Sequence, residues 1–99
     1  MTTAIELHLF HEVVPQTLSA LLHHINGEKA EMAVGGLGTV LGLLMEVRIP
    51  SESIPDIIKA CESVRNTIGP IAEQYKGILE IVETTIENLM RRMNKKGDL

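Results

Sequence analysis

Apolar residues recur at spacings of three and four along most of the chain, in runs separated by turn chemistry, which is the helical signature. In the first run, over about Thr3 to Ile25, residues Phe10, Val14, Leu18, Leu21, Leu22 and Ile25 form one face. Thr3 with Glu6 fits a capping box, and Asn26-Gly27 fits a C-cap and turn. Pro15 lacks an amide proton and crowds the carbonyl four residues back, which predicts a kink or break near Val14. Ile5, Leu7 and Leu9 also alternate with Glu6 and His8, so a strand over residues 4–10 is the competing assignment.

The second run, about Glu28 to Val47, has a ridge of Val34, Leu37, Leu41 and Leu44 with Val40 beside it. Arg48-Ile49-Pro50 then leaves helical geometry, because a residue preceding proline disfavours it. A strand over Leu43–Ile49 is the alternative. The third run opens at Ser51-Glu52-Ser53-Ile54-Pro55, with Ser53 or Ile54 as N-cap, Pro55 in the first turn and Asp56 beside it. Its apolar face is Ile57, Ile58, Cys61, Val64 and Ile68, and Gly69-Pro70 ends it or bends it.

The fourth run, Ile71 to about Asn94, carries the strongest periodicity. Ile68, Ala72, Tyr75, Leu79, Val82, Ile86, Leu89 and Met93 follow one another at alternating spacings of 4 and 3, a heptad seam. Ile78, Ile81 and Met90 widen this stripe, while Glu73, Glu80, Glu83, Glu87 and Arg91 lie outside it. A stripe so wide can serve the chain's own bundle and a second copy, and the seam Tyr75, Leu79, Val82, Ile86, Leu89 and Met93 is assigned to self-association. The pattern as a whole predicts an all-α single domain over residues 1–99. It is a small bundle of about four helices, the first disturbed at Pro15 and the last long, with residues 91–99 a frayed basic tail.

The stretch Ala33 to Gly42, AVGGLGTVLG, disturbs this picture with four glycines in ten residues. As a phosphate loop it fails, because Gly42 falls one residue late for the dinucleotide fingerprint and no Lys or Arg lies between Lys29 and Arg48. As a membrane span it is short: fourteen uncharged residues, Met32 to Met45, against the roughly twenty that a bilayer needs. As a helix it sets Gly35, Gly38, Thr39 and Gly42 on one side, a groove that admits another helix or a flat ligand. For a ligand, Lys29, Arg48, His23 and His24 are the candidate charged partners.

Charge sharpens the exclusions. The net charge of −4 conceals a body, residues 1–90, with twelve acids against five bases and a tip with four bases and one acid. An acidic body argues against a nucleic-acid binder, whose affinity comes from neutralising phosphates. Only Phe10 and Tyr75 are aromatic, so the core rests on aliphatic residues. The lone Cys61 forbids an internal disulfide, and MTTAIELHLF has no basic-then-apolar leader, which together indicate the cytoplasm.

No constellation for nucleophilic or paired-carboxylate catalysis is visible, so a non-enzyme is expected, with no cofactor and no metal. Cys61 reads as a small buried hydrophobe. His8, His11 and Glu12 share a helical face with metal-ligand spacing, but solvated histidines are the simpler assignment. His23-His24-Ile25-Asn26-Gly27 resembles, over five residues, the His-x-Leu-Lys-Gly signature of histidine-phosphotransfer domains, with Asn26 in the lysine's place. That resemblance implies His23 as phosphoryl acceptor; it assigns no family. The expected role is a non-catalytic, homo-oligomeric adaptor, inhibitor or regulator that binds a protein. The alternatives are a small-ligand or nucleotide pocket at the glycine ridge between subunits, and a phosphotransfer or metal-binding bundle.

Overall fold

The structure is a computed structural model and describes residues 3–71 and 75–97. Helix α1 spans Ala4–His8, a π-helical turn Leu9–Val13, and α2 Val14–His23; together they form one continuous rod. Helix α3 is Ala30–Glu46, α4 Ile54–Ile68 and α5 Lys76–Gly97, with 3-10 turns at Ser51–Ser53 and Gly69–Ile71. Among the described residues there is no strand, so residues 4–10 and 43–49 are not strands. Residues 47–50 leave α3 as irregular chain, as Pro50 dictates.

The rod begins as the sequence requires: Thr3 Oγ1 accepts from the Glu6 amide at 3.1 Å, and the Thr3 amide donates to Glu6 Oε1 at 3.4 Å. Pro15 does not break the rod. Its missing donor is accommodated just upstream, where the Val14 amide reaches back five residues to the Leu9 carbonyl. The helix therefore continues on both sides with its phase shifted. The Asn26-Gly27 turn lies where expected, with the Gly27 amide donating to the His24 carbonyl at 3.1 Å.

The rod packs on α3 and α4, and α5 packs on the same two helices. The rod and α5 thus occupy opposite corners of a four-helix bundle. Contacts with rising numbers on both members show that α3 and α5 run parallel: Gly38 lies by Ile78, Thr85 by Leu41, and Arg92 by Val47. Leu18, Ile25, Leu37, Leu41, Ile57, Cys61, Val64, Ile68, Val82 and Leu89 are buried where these faces meet. Tyr75 fastens the start of α5 by donating from its hydroxyl to the Ile25 carbonyl at 3.1 Å.

Most of the α5 seam assigned to self-association faces the chain's own bundle. Val82, Ile86 and Leu89 are buried in the chain's own core, and Tyr75 and Leu79 pack against that core. Only Met93 stays exposed. The bundle consumes the seam because α5 covers both α3 and α4 on the side away from the rod; Ala72 of the predicted seam lies outside the described residues. Arg91 and Arg92, assigned to the tail, are helical, and α5 continues to Gly97.

Candidate functional site

Two concavities flank the rod. One is an open polar cleft of about 470 Å³ between the rod and α4, lined by His11, Pro15, Ser19, Asp56, Lys59 and Ser63 over a floor of Leu18, Leu22 and Ala60. His11 Nδ1 stands 2.8 Å from Asp56 Oδ2. A carboxylate can only accept, so Nδ1 is the donor in this contact. His11 belongs to the π-helical turn, so the phase shift caused by Pro15 sets the direction of this side chain.

The second is an apolar groove of about 250 Å³ between the rod and α3, lined by Leu9, Phe10, Val14, Thr17, Val40, Leu43, Leu44 and Val47. It holds no charged side chain. Large hydrophobic residues stand open along it: Leu9 on the rod, Leu43 and Val47 at the end of α3. Ile5, one helical turn before Leu9, is 81% exposed.

The groove continues onto the outer face of α3. Between Glu31 and Glu46 the exposed positions of this helix are Met32, Gly35, Thr39 and Leu43, none of them charged. Met32 is 76% exposed and Leu43 52%. A helix that is apolar all round is normally buried all round. Here α3 gives its inner face to the core and leaves an uncharged outer face bare.

The glycine ridge is thereby divided. Gly38 faces α5, where an added Cβ would lie 3.4 Å from Ile78 Cδ1. Gly35 and Gly42 would meet nothing within 4 Å, and the Thr39 hydroxyl donates to the Gly35 carbonyl at 2.9 Å. The four residues do not form a groove filled by a helix of this chain. The close intramolecular approach is at Gly36, outside the predicted set, where a Cβ would come within 3.0 Å of Leu21 Cδ2. Its position in the helix, one residue off the ridge, was the available signal.

The candidate cations do not converge on the ridge. Lys29 caps the N-terminus of α3 and Arg48 follows its C-terminus, about 25 Å apart along the helix. His23 ends α2, and its ring stands edge-on to that of His24 with centroids 5.8 Å apart. The potential metal trio separates as well: His8 Nδ1 lies 3.1 Å from Glu12 Oε2, whereas His11 turns to Asp56. Among the described residues no three His, Cys, Asp or Glu side chains gather around a common point.

Cys61 is fully buried in α4. Burial, with a smaller contribution from neighbouring Glu62, pushes its thiol up from 9.0 to about 12, so it is held as the neutral thiol. No described helix is long and apolar enough to cross a membrane. No protein-family model, curated protein or solved structure matches the chain.

Proposed function

We propose that this chain is a non-catalytic binding protein that docks a helix of a protein through the apolar groove and the adjoining outer face of α3, as an adaptor, inhibitor or regulator does. The observation that carries this reading is the uncharged surface itself. Leu9, Val14, Leu43 and Val47 line one concavity with no charged group to orient a small molecule, and the hydroxyl of its Thr17 already donates to the Val13 carbonyl. Apolar knobs at helical spacing are what such grooves accept. The lone Cys61, which leaves no internal disulfide, fits a reducing compartment such as the cytoplasm.

Photo-crosslinking in cells tests the reading. A photoreactive residue at Val47 is expected to give discrete protein adducts, and the same residue at Glu83, on the exposed side of α5, is expected to give none. Equal labelling from both positions, or none from Val47, overturns it.

A second reading is favoured by one observation. The His11–Asp56 pair, with Lys59 on the same wall, gives the polar cleft the means to orient a small acidic ligand. Native mass spectrometry of the purified protein tests it. A bound small molecule lost on His11→Ala supports it, and a bare mass for the wild-type chain counts against it.

A further inference from the structure

The groove and the outer face of α3 form a docking surface, and the structure limits what covers it. We infer that the occupant is a second copy of this chain, with α3 crossing the partner's α3 antiparallel about a two-fold axis. This rests on reading the face as a docking surface and goes further by naming the partner.

The glycines give the first argument. Each costs up to about 1 kcal/mol of helix stability relative to alanine. Gly36 and Gly38 are accounted for inside the chain by Leu21 and Ile78. Gly35 and Gly42 are not, since nothing of this chain comes within 4 Å of where their Cβ atoms would be. A backbone approaching from outside accounts for them, and a second helix is the element that brings one so close.

Self-complementarity gives the second. In an antiparallel crossing centred between Leu37 and Gly38, positions that sum to 75 lie opposite each other. Met32 then meets the partner's Leu43, the two most exposed large hydrophobics of α3. The same register puts Lys29 against the partner's Glu46. Both residues are exposed and appear in no ion pair among the described residues. The centre of the crossing holds Gly35 and Thr39, and the Thr39 hydroxyl already donates to the Gly35 carbonyl. A two-fold axis uses one patch twice, so each match occurs at both ends.

Size sets the expected strength. A face about 25 Å long and two helices wide covers on the order of 500 Å², below the roughly 800 Å² per partner of a standard interface. The dimer is therefore expected to dissociate in the micromolar range.

Sedimentation velocity of the full chain over increasing concentration tests this. The wild-type chain is expected to shift from monomer to dimer. Leu43→Asp and Met32→Glu, both on exposed positions, should abolish the shift while circular dichroism shows unchanged helix. Lys29→Glu or Glu46→Lys alone should weaken association about tenfold, and the two combined should recover it. A monomer at every concentration overturns the inference, as does a Leu43→Asp chain that dimerises normally or a double reversal that recovers nothing. The Val47 crosslink separates the two readings. Adducts of twice the chain mass support self-association. Adducts to a different protein from a monomeric chain overturn self-association and leave the docking surface standing. Loss of both results removes both.

Discussion

Arg92, near the end of the chain, donates from Nη1 to the main-chain carbonyl of Val47 at 2.9 Å, across 45 residues of sequence. Its Nη2 donates to the carbonyl of Met45. The last carbonyls of a helix have no partner within it. An arginine from α5 thus serves as the C-cap that α3 lacks in its own sequence, and its charge sits at the negative end of the helix dipole.

Arg92→Ala should therefore destabilise the fold by about 1–2 kcal/mol, since it removes a charged donor from one partly buried and one exposed acceptor. Arg92→Lys should recover less than half of this, because one ammonium does not reproduce the two-pronged geometry. Urea denaturation measures both. A midpoint for Arg92→Ala equal to the wild type would show that water replaces the clamp at no cost.

Glycine substitutions in α3 should fall into two classes. Gly35→Ala and Gly42→Ala enter open space and should each stabilise the dilute monomer by up to about 1 kcal/mol. Gly36→Ala must displace Leu21 and should be neutral or destabilising. The same Gly35 and Gly42 changes should weaken the dimer, so thermal stability at low concentration and dimer affinity should move in opposite directions.

The Cys61 thiol gives a pH prediction of definite sign. Its pKa is raised to about 12 in the fold from 9.0, so the unfolded chain gives up this proton first as pH rises. The contribution of Cys61 to stability is complete below pH 9 and is lost between pH 9 and about 12, at roughly 1 kcal/mol per pH unit. Cys61→Ala should flatten this part of the stability profile. In the native chain at pH 8 the thiol should also resist alkylation until the protein is unfolded.

His11 and Asp56 form a half-exposed pair, so their coupling should be small despite the 2.8 Å separation. A double-mutant cycle with His11→Ala and Asp56→Ala should give at most about 1 kcal/mol, reduced by salt. A larger coupling would mean that the pair pins the π-helical turn to α4.

Most of the core was legible in the sequence. The predicted ridges Leu37–Leu41–Leu44, Ile57–Cys61–Val64 and Val82–Ile86–Leu89 are all buried. Periodicity tells which side of a helix is apolar but not what covers it. For this reason the heptad spacing of α5 suits a second copy as well as it suits α3 and α4, which fill it. The ridge Gly35–Gly38–Gly42 was real as a pattern, yet about 100° of helix rotation per residue decides whether a glycine faces α2, α5 or solvent. Only the tertiary arrangement supplies that phase. The His11–Asp56 pair joins residues 45 apart and had no local signature. Pro15 announced a disturbance, and whether it would appear as a break or as a π-helical turn depended on the packing of Phe10 and Leu18 on either side of it.

The place of α5 in the bundle bears on how the chain folds as it leaves the ribosome. The rod touches both α3 and α4, but these two meet mainly through α5. A nascent chain that has not yet produced Ile78 to Leu89 therefore carries two uncovered aliphatic surfaces, and its third helix ends in unsatisfied carbonyls until Arg92 emerges. Cooperative closure waits until α5 has left the ribosome, and the chain that lacks it is the species most in need of a chaperone.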